Sequence, residues 1–369
     1  MSMGLLHRAF AVLLLGCLAP IVSAEPCAGQ AGQQLAGCLR MIYEQPLAKW
    51  PKPTIVGDGP WQELAPLPTR AEWLAQGKFD PQRAQLGEQL FMDPQLSRSG
   101  QIACASCHEP SESFADGRRF SFGHDRLVGR RNSPTVTTSA LLGPFFWDGR
   151  SKTLEEQSLH PIEDPVEMAF SVPELLQRLN ADGTYVGEFA TVYGSGPITQ
   201  AQLSSALADY QRSLLPQRSS FDRFLRGDRQ ALDDQQIHGL HLFRTKGHCM
   251  TCHHGPALSD RQFHNLGLTY YGRDRFEDWG RHEVTGNPDD IGKFRTPSLR
   301  QVARTGPWMH NGLFPLRGVL NMYNAGMPRP KPRPDQADDP HFPQTSELLV
   351  PLELNSQETD ALEAFLQTL

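Results

Sequence analysis

Two pentapeptides of the form Cys-x-x-Cys-His stand in this chain, Cys104-Ala105-Ser106-Cys107-His108 and Cys249-Met250-Thr251-Cys252-His253. Two thiols three positions apart can add across the two vinyl groups of one haem, and a histidine directly after the second thiol can bind the iron from the proximal side. Each pentapeptide therefore predicts one covalently held c-type haem. A four-cysteine zinc site is the competing chemistry, but its halves usually lie about 15 to 20 residues apart. Here more than a hundred residues separate them.

The start of the chain bears on the same chemistry. Arg8 is followed by the apolar stretch Ala9 to Leu18, too short to span a bilayer, and by the small-residue site Val22-Ser23-Ala24. This pattern predicts a cleaved export signal over residues 1–24 and a periplasmic protein. Lipid attachment at Cys17, after Leu14-Leu15-Gly16, is the alternative. An oxidising compartment suits covalent haem attachment, and it favours a disulfide between Cys27 and Cys38 over two free thiols. No other segment is apolar enough to cross a membrane, so no membrane span is expected. The formal charge of −6 and the lack of a basic run give no reason to expect a nucleic-acid partner.

The motifs need elements to hold them. Leu86, Leu90 and Phe91 share one face of a predicted helix, Pro81 to Phe91, just before the first motif. Ile237 to Phe243 precedes the second motif in the same way, which predicts two units built on one plan. Leu203, Leu207, Tyr210 and Leu214 mark a helix over Ser204 to Leu215. Asn355 and Glu358 form a capping box ahead of Leu362, Phe365, Leu366 and Leu369. Strand signals are few. The expectation is a mainly α protein of two cytochrome c-like haem domains, residues 81–216 and 217–369, with long irregular connections required by 30 Pro and 32 Gly. Residues 25–80, with Trp50-Pro51-Lys52-Pro53 and Pro66-Leu67-Pro68, read as an extended wrap, and the Pro-rich segment Met327 to Pro343 as a surface loop.

Beyond about residue 80 the sequence resembles the bacterial dihaem cytochrome c peroxidase and MauG family. The resemblance rests on Leu90-Phe91-Met92-Asp93, Arg131-Asn132-Ser133-Pro134-Thr135, Phe146-Trp147-Asp148-Gly149-Arg150 and Pro165-Val166-Glu167-Met168 in the first half. In the second half Phe294-Arg295-Thr296-Pro297-Ser298-Leu299-Arg300 leads into Thr305-Gly306-Pro307-Trp308-Met309-His310-Asn311-Gly312. It implies a peroxidase in which hydrogen peroxide reacts at the first haem and the second stores or relays an electron. Glu167 matches the family's catalytic acid–base glutamate and Gln157 the glutamine of the same pocket. Trp147 matches the tryptophan between the haems. Asn132, with the backbone carbonyls of Thr305 and Pro307, matches a bound calcium ion, for which oxygen ligands are suited.

The axial ligands set the subtype. His124, sixteen residues after His108, has the spacing of a removable distal ligand on the first haem iron; a loop histidine is the alternative. Tyr323, seven residues after Leu316, falls where conventional peroxidases carry an axial methionine and MauG its tyrosine, with Met322 and Met327 as neighbouring competitors. An anionic phenolate stabilises oxidised iron more than a thioether does and lowers the reduction potential. The MauG-like reading implies a protein substrate; the conventional reading implies a small redox protein as electron donor; a non-catalytic dihaem electron carrier is the third. The tryptophan that MauG presents before its second motif has no counterpart, because Gly247-His248 precede Cys249. Trp279 and Trp308 are other conceivable exits.

Overall fold

The computed structural model describes residues 27–216, 218–273 and 275–369. The export signal and Cys17 lie outside the described residues. Twelve α-helices carry the described fold, and its one sheet is a pair of three-residue strands. The mainly α expectation holds.

The first unit is built on α3 (Pro81–Met92) and α7 (Gln200–Ser213), which pack against each other. Asp80 caps α3 by accepting from the Gln82 and Arg83 amides, with Pro81 at the first helical position, where its missing N–H costs nothing. Thr199 and Gln202 form the capping box of α7. Between them run α4 (Leu154–Glu163), α5 (Val172–Ala181) and α6 (Gly183–Tyr193). The second unit repeats the plan with α9 (Asp234–Arg244) against α12 (Ser356–Leu366), both opened by capping boxes. The two crossings share one device. A Cβ on Gly87 of α3 would meet the Ala206 carbonyl oxygen at 2.0 Å, and a Cβ on Gly239 of α9 would meet the Ala361 oxygen at the same distance. In each unit the helix before the haem motif thus touches its partner backbone to backbone.

Buried apolar side chains gather in two clusters. One draws on residues between 86 and 210, including Leu90, Phe91 and Tyr210; the other combines Phe221 to Leu369 with Leu39, Tyr43, Trp50 and Leu64. The N-terminal segment therefore belongs to the second core, and it differs from a plain extended wrap. Residues Gly32–Tyr43 form α1, whose Leu39 and Tyr43 are fully buried, and Cys27 is disulfide-bonded to Cys38. Beyond Trp50 the chain forms no helix or strand up to α2 (Arg70–Ala75) and bends at residues 56–58, and two buried arginines hold it. Arg244 bonds the Pro51 carbonyl at 2.7 Å and the Glu63 carboxylate; Arg300 bonds the Ala65 carbonyl at 2.8 Å and Asp222 at 2.9 Å. Chain outside helices and strands has no ladder partners for its carbonyls, and these guanidinium groups supply them.

The remaining elements serve the second site. Strands β1 (Phe263–Asn265) and β2 (Lys293–Arg295) pair antiparallel, and α11 (Leu316–Asn324) follows with Leu316, Val319 and Leu320 buried. The segment from 327 to 343 is more than a surface loop, since Met327 and Gln336 are buried within it.

Candidate functional site: a cavity joining the two motifs

One cavity of about 680 Å³ is lined by both Cys-x-x-Cys-His sequences. Each motif is a single tight turn. The amides of Cys107 and His108 both donate to the Cys104 carbonyl, at 3.2 and 3.0 Å, and those of Cys252 and His253 to the Cys249 carbonyl, at 3.3 and 2.8 Å. The turn exposes both thiols and the following imidazole to the cavity. His108 Nδ1 lies 3.2 Å from the Phe114 carbonyl and His253 Nδ1 2.9 Å from that of Leu258. A carbonyl only accepts, so Nδ1 carries the proton in both rings and Nε2 keeps its lone pair for a metal. Burial lowers the pKa of both histidines, which favours the neutral form a metal requires.

The four thiols are unpaired and do not converge. Among the described residues the one group of three close metal-ligating side chains is Cys252, Asp260 and His264. A four-cysteine zinc site is therefore excluded by geometry. Phe91, Val136 and Met168 beside the first motif, and Phe243, Leu320 and Leu366 beside the second, give the cavity the apolar walls that a porphyrin at each end would contact. The residues present fit two haems.

Glu167 and Gln157 line the cavity on the side of the first motif. Gln157 sits in the first turns of α4, whose N-cap Thr153 accepts from the Glu156 amide at 3.1 Å. Glu167 sits in the turn after α4, where Asp164 caps the chain by accepting from the Val166 amide at 2.8 Å and, through its carbonyl, from the Glu167 amide at 3.1 Å. Helix and turn together bring the two side chains to one wall. Burial, helped by Asp164 and opposed by Arg150, pushes the Glu167 carboxyl up to about 7. The side-chain oxygen of Gln157 is buried and has no hydrogen-bond partner among the described protein atoms.

His124 is not brought into this wall. Its amide donates to the Glu167 carbonyl at 2.8 Å, and Gly123 lets the two backbones touch: a Cβ there would meet the Val166 oxygen at 2.0 Å. The imidazole is absent from the cavity lining, with Nε2 3.6 Å from the Asp125 carboxylate.

At the second motif Tyr323 lines the cavity together with Leu316, Val319 and Leu320, one face of α11. Met322 and Met327 do not line it. One residue of shift on a helix turns a side chain by about 100°, which is why Met322 points elsewhere. Burial raises the pKa of the Tyr323 phenol.

Trp147 ties the two ends together. Its indole N–H donates to the Asn132 carbonyl at 2.9 Å, and its own carbonyl accepts from the Arg295 amide at 2.8 Å. Asn132, Thr305 and Pro307 all line the cavity, and the Asn132 side-chain nitrogen donates to the Arg118 carbonyl at 2.8 Å. Sequence reasoning missed Arg131 as an organiser. Its guanidinium joins Asp148 of the first unit to Asp278 of the second, with 2.7 Å bonds to both Asp278 oxygens. The partners are 17 and 147 positions away, and only the order of motifs hinted at it.

With this geometry in view, comparison with known proteins is direct. Residues 81–230 match the family described as di-haem cytochrome c peroxidase. The cytochrome-c peroxidase IdrP1 of Pseudomonas sp. (strain SCT) is 36% identical over 338 residues, covering 83% of this chain and 85% of that protein. The chain belongs to the di-haem cytochrome c peroxidase and MauG family. The methylamine utilization protein MauG of Methylorubrum extorquens is 34% identical over 86% of this peroxidase and 88% of its own length. A crystal structure of a MauG-like protein associated with microbial copper homeostasis superposes with a TM-score of 0.70 at 32% identity, covering 85% of this chain and 95% of that one. The diheme peroxidase BthA of Burkholderia thailandensis gives 0.65 at 25% identity, over 86% and 93%. The chain is thus a haem peroxidase of a two-haem family, an oxidoreductase acting on hydrogen peroxide. Among its described residues no helix is long and apolar enough to cross a membrane.

Proposed function

We propose that this peroxidase is of the MauG-like type: it reduces hydrogen peroxide beside His108 and holds the oxidising equivalents at the second site for use on a partner protein. The observation that carries this reading is Tyr323, which faces the cavity from α11 while Met322 and Met327 do not. The haems supply the irons that bind peroxide and exchange electrons. The chain supplies the protons. Glu167, its carboxyl near 7, takes a proton from the near peroxide oxygen and returns it to the departing one, and the unpartnered Gln157 oxygen orients the peroxide O–H. His108 and His253 would hold the two irons through Nε2, and Trp147, between the two ends, would carry charge from one to the other. The Asn132 oxygen with the Thr305 and Pro307 carbonyls suits Ca²⁺. Export to the periplasm is supported by the signal-like first residues and by the disulfide of Cys27 with Cys38.

The test is Glu167→Gln in the protein carrying both haems. Peroxide turnover should fall on the order of a hundredfold or more with haem content unchanged; full turnover would remove Glu167 from the chemistry.

A further inference from the structure

The aromatic residues around Trp147 continue past the cavity wall. The Trp147 indole meets the His310 imidazole edge-on at 6.4 Å, and that imidazole stacks on Phe294 at 3.6 Å and 10°. Both His310 and Phe294 line the cavity. Gly280 lies against the Phe294 ring: at its φ of +60° a Cβ would come within 3.1 Å of two ring carbons and 2.4 Å of the Lys293 carbonyl oxygen. Trp279 directly precedes this glycine, and its carbonyl accepts from the Gly292 amide at 2.9 Å. The Trp279 ring meets Tyr271 at 5.5 Å, and Tyr271 ends the series half-buried at the surface, with its hydroxyl donating to the Asp339 carboxylate at 2.8 Å.

The last pair has the chemistry of an oxidisable site. A phenol that loses an electron becomes a strong acid, so a carboxylate already accepting its hydrogen bond lets the proton leave with the electron. The backbone beside Tyr271 is also anchored at Gly272. Arg333 bonds the Gly272 carbonyl at 2.9 Å, and Gly272 packs so closely on Gln336 that a Cβ would lie 2.2 Å from its amide nitrogen. Burial and Asp339 push the phenol up to about 12, and bonds from His341 and Tyr271 hold the Asp339 carboxyl below its usual range. At neutral pH the pair is therefore phenol and carboxylate.

We propose that Tyr271, relayed by Trp279, is the surface site at which phenols give up the electrons that peroxide reduction consumes. Each electron leaves the Tyr271 phenol through Trp279 toward the cavity. Its proton passes to Asp339, leaving a neutral tyrosyl radical. A phenol at the surface then loses its O–H hydrogen atom, electron and proton, to the Tyr271 oxygen, and Asp339 releases its proton to water. Two such steps balance one turnover: H2O2 and two phenols give two waters and two phenoxyl radicals. The inference rests on the peroxidase reading of the cavity and names the class of compound oxidised.

The experiment treats the two-haem protein with stoichiometric hydrogen peroxide and a nitroso spin trap, then maps the adduct by peptide mass spectrometry. The adduct should sit on Tyr271, vanish in Tyr271→Phe and weaken in Trp279→Phe. In parallel, oxidation of 2-methoxyphenol and of a tyrosine-containing peptide should fall about tenfold or more in Tyr271→Phe. A larger effect on the peptide assigns the site to polypeptide tyrosine, and a larger effect on the free phenol to small phenols. An adduct elsewhere, or phenol oxidation independent of Tyr271, overturns the proposal while peroxide consumption by the wild type keeps the peroxidase reading. Absence of peroxide consumption overturns both.

Discussion

Glu167 would be an ordinary ionised carboxylate at neutral pH in water, and the cavity wall makes it a group poised near 7 instead. The direction matters for rate. If Glu167 is the proton acceptor proposed above, that step needs its carboxylate, so kcat/KM should rise as pH increases through about 7 and then level off, an inflection absent from Glu167→Gln. Tyr323 is the second decisive residue. If Tyr323 is the ligand proposed above, Tyr323→Met exchanges an anionic phenolate for a neutral thioether, and the reduction potential of the second haem should rise by on the order of a few hundred millivolts in a spectroelectrochemical titration. An unmoved potential would mean that Tyr323 does not ligate, and the conventional cytochrome c peroxidase reading would gain. Both side chains have types that the sequence displays, but the local pattern alone did not say which of Met322, Tyr323 and Met327 turns inward.

At the scale of elements, two glycine crossings set the distance between paired helices. Gly87 of α3 and Gly239 of α9 each lie against a carbonyl of the facing helix, with no room for a methyl group. Alanine is the better helix former by about 0.5–1 kcal/mol, yet overpacking costs roughly 1–3 kcal/mol. Gly87→Ala should therefore lower the thermal midpoint despite its favourable propensity, and an unchanged or raised midpoint in calorimetry would contradict the close approach. The helices flanking the motifs were legible because their apolar spacing is regular and their caps are explicit. The run from α4 to α6 was not, since Pro161, Pro173 and Gly183 interrupt the pattern and burial against α3 and α7 overrides it. α1 escaped notice for a different reason. Its buried face is completed by α9, some 200 positions later, so nothing nearby announces it.

At the scale of the molecule, the cavity exists only because two units share a boundary. Arg131 is largely buried there between Asp148 and Asp278, and its pKa is raised because their hydrogen bonds and charges outweigh the cost of burial. Removing one partner of a buried ion pair leaves the others uncompensated, typically at about 3–5 kcal/mol. Arg131→Met should lower stability by that order and speed hydrogen exchange in the 278–283 backbone; exchange as slow as in the wild type would show that the ion pair does not hold the boundary. The same boundary carries Trp147, bonded to Asn132 on one side and Arg295 on the other.

The two Cys-x-x-Cys-His motifs, the helices before each of them and the family itself are all written in short stretches of sequence, because each depends on residues a few positions apart. The single cavity, the inward turn of Tyr323, the exclusion of the His124 ring from the wall and the series from Trp147 to Tyr271 are not. They depend on contacts between residues up to some 200 positions apart and on one-residue differences in helical phase, and those are set only when the two units pack together.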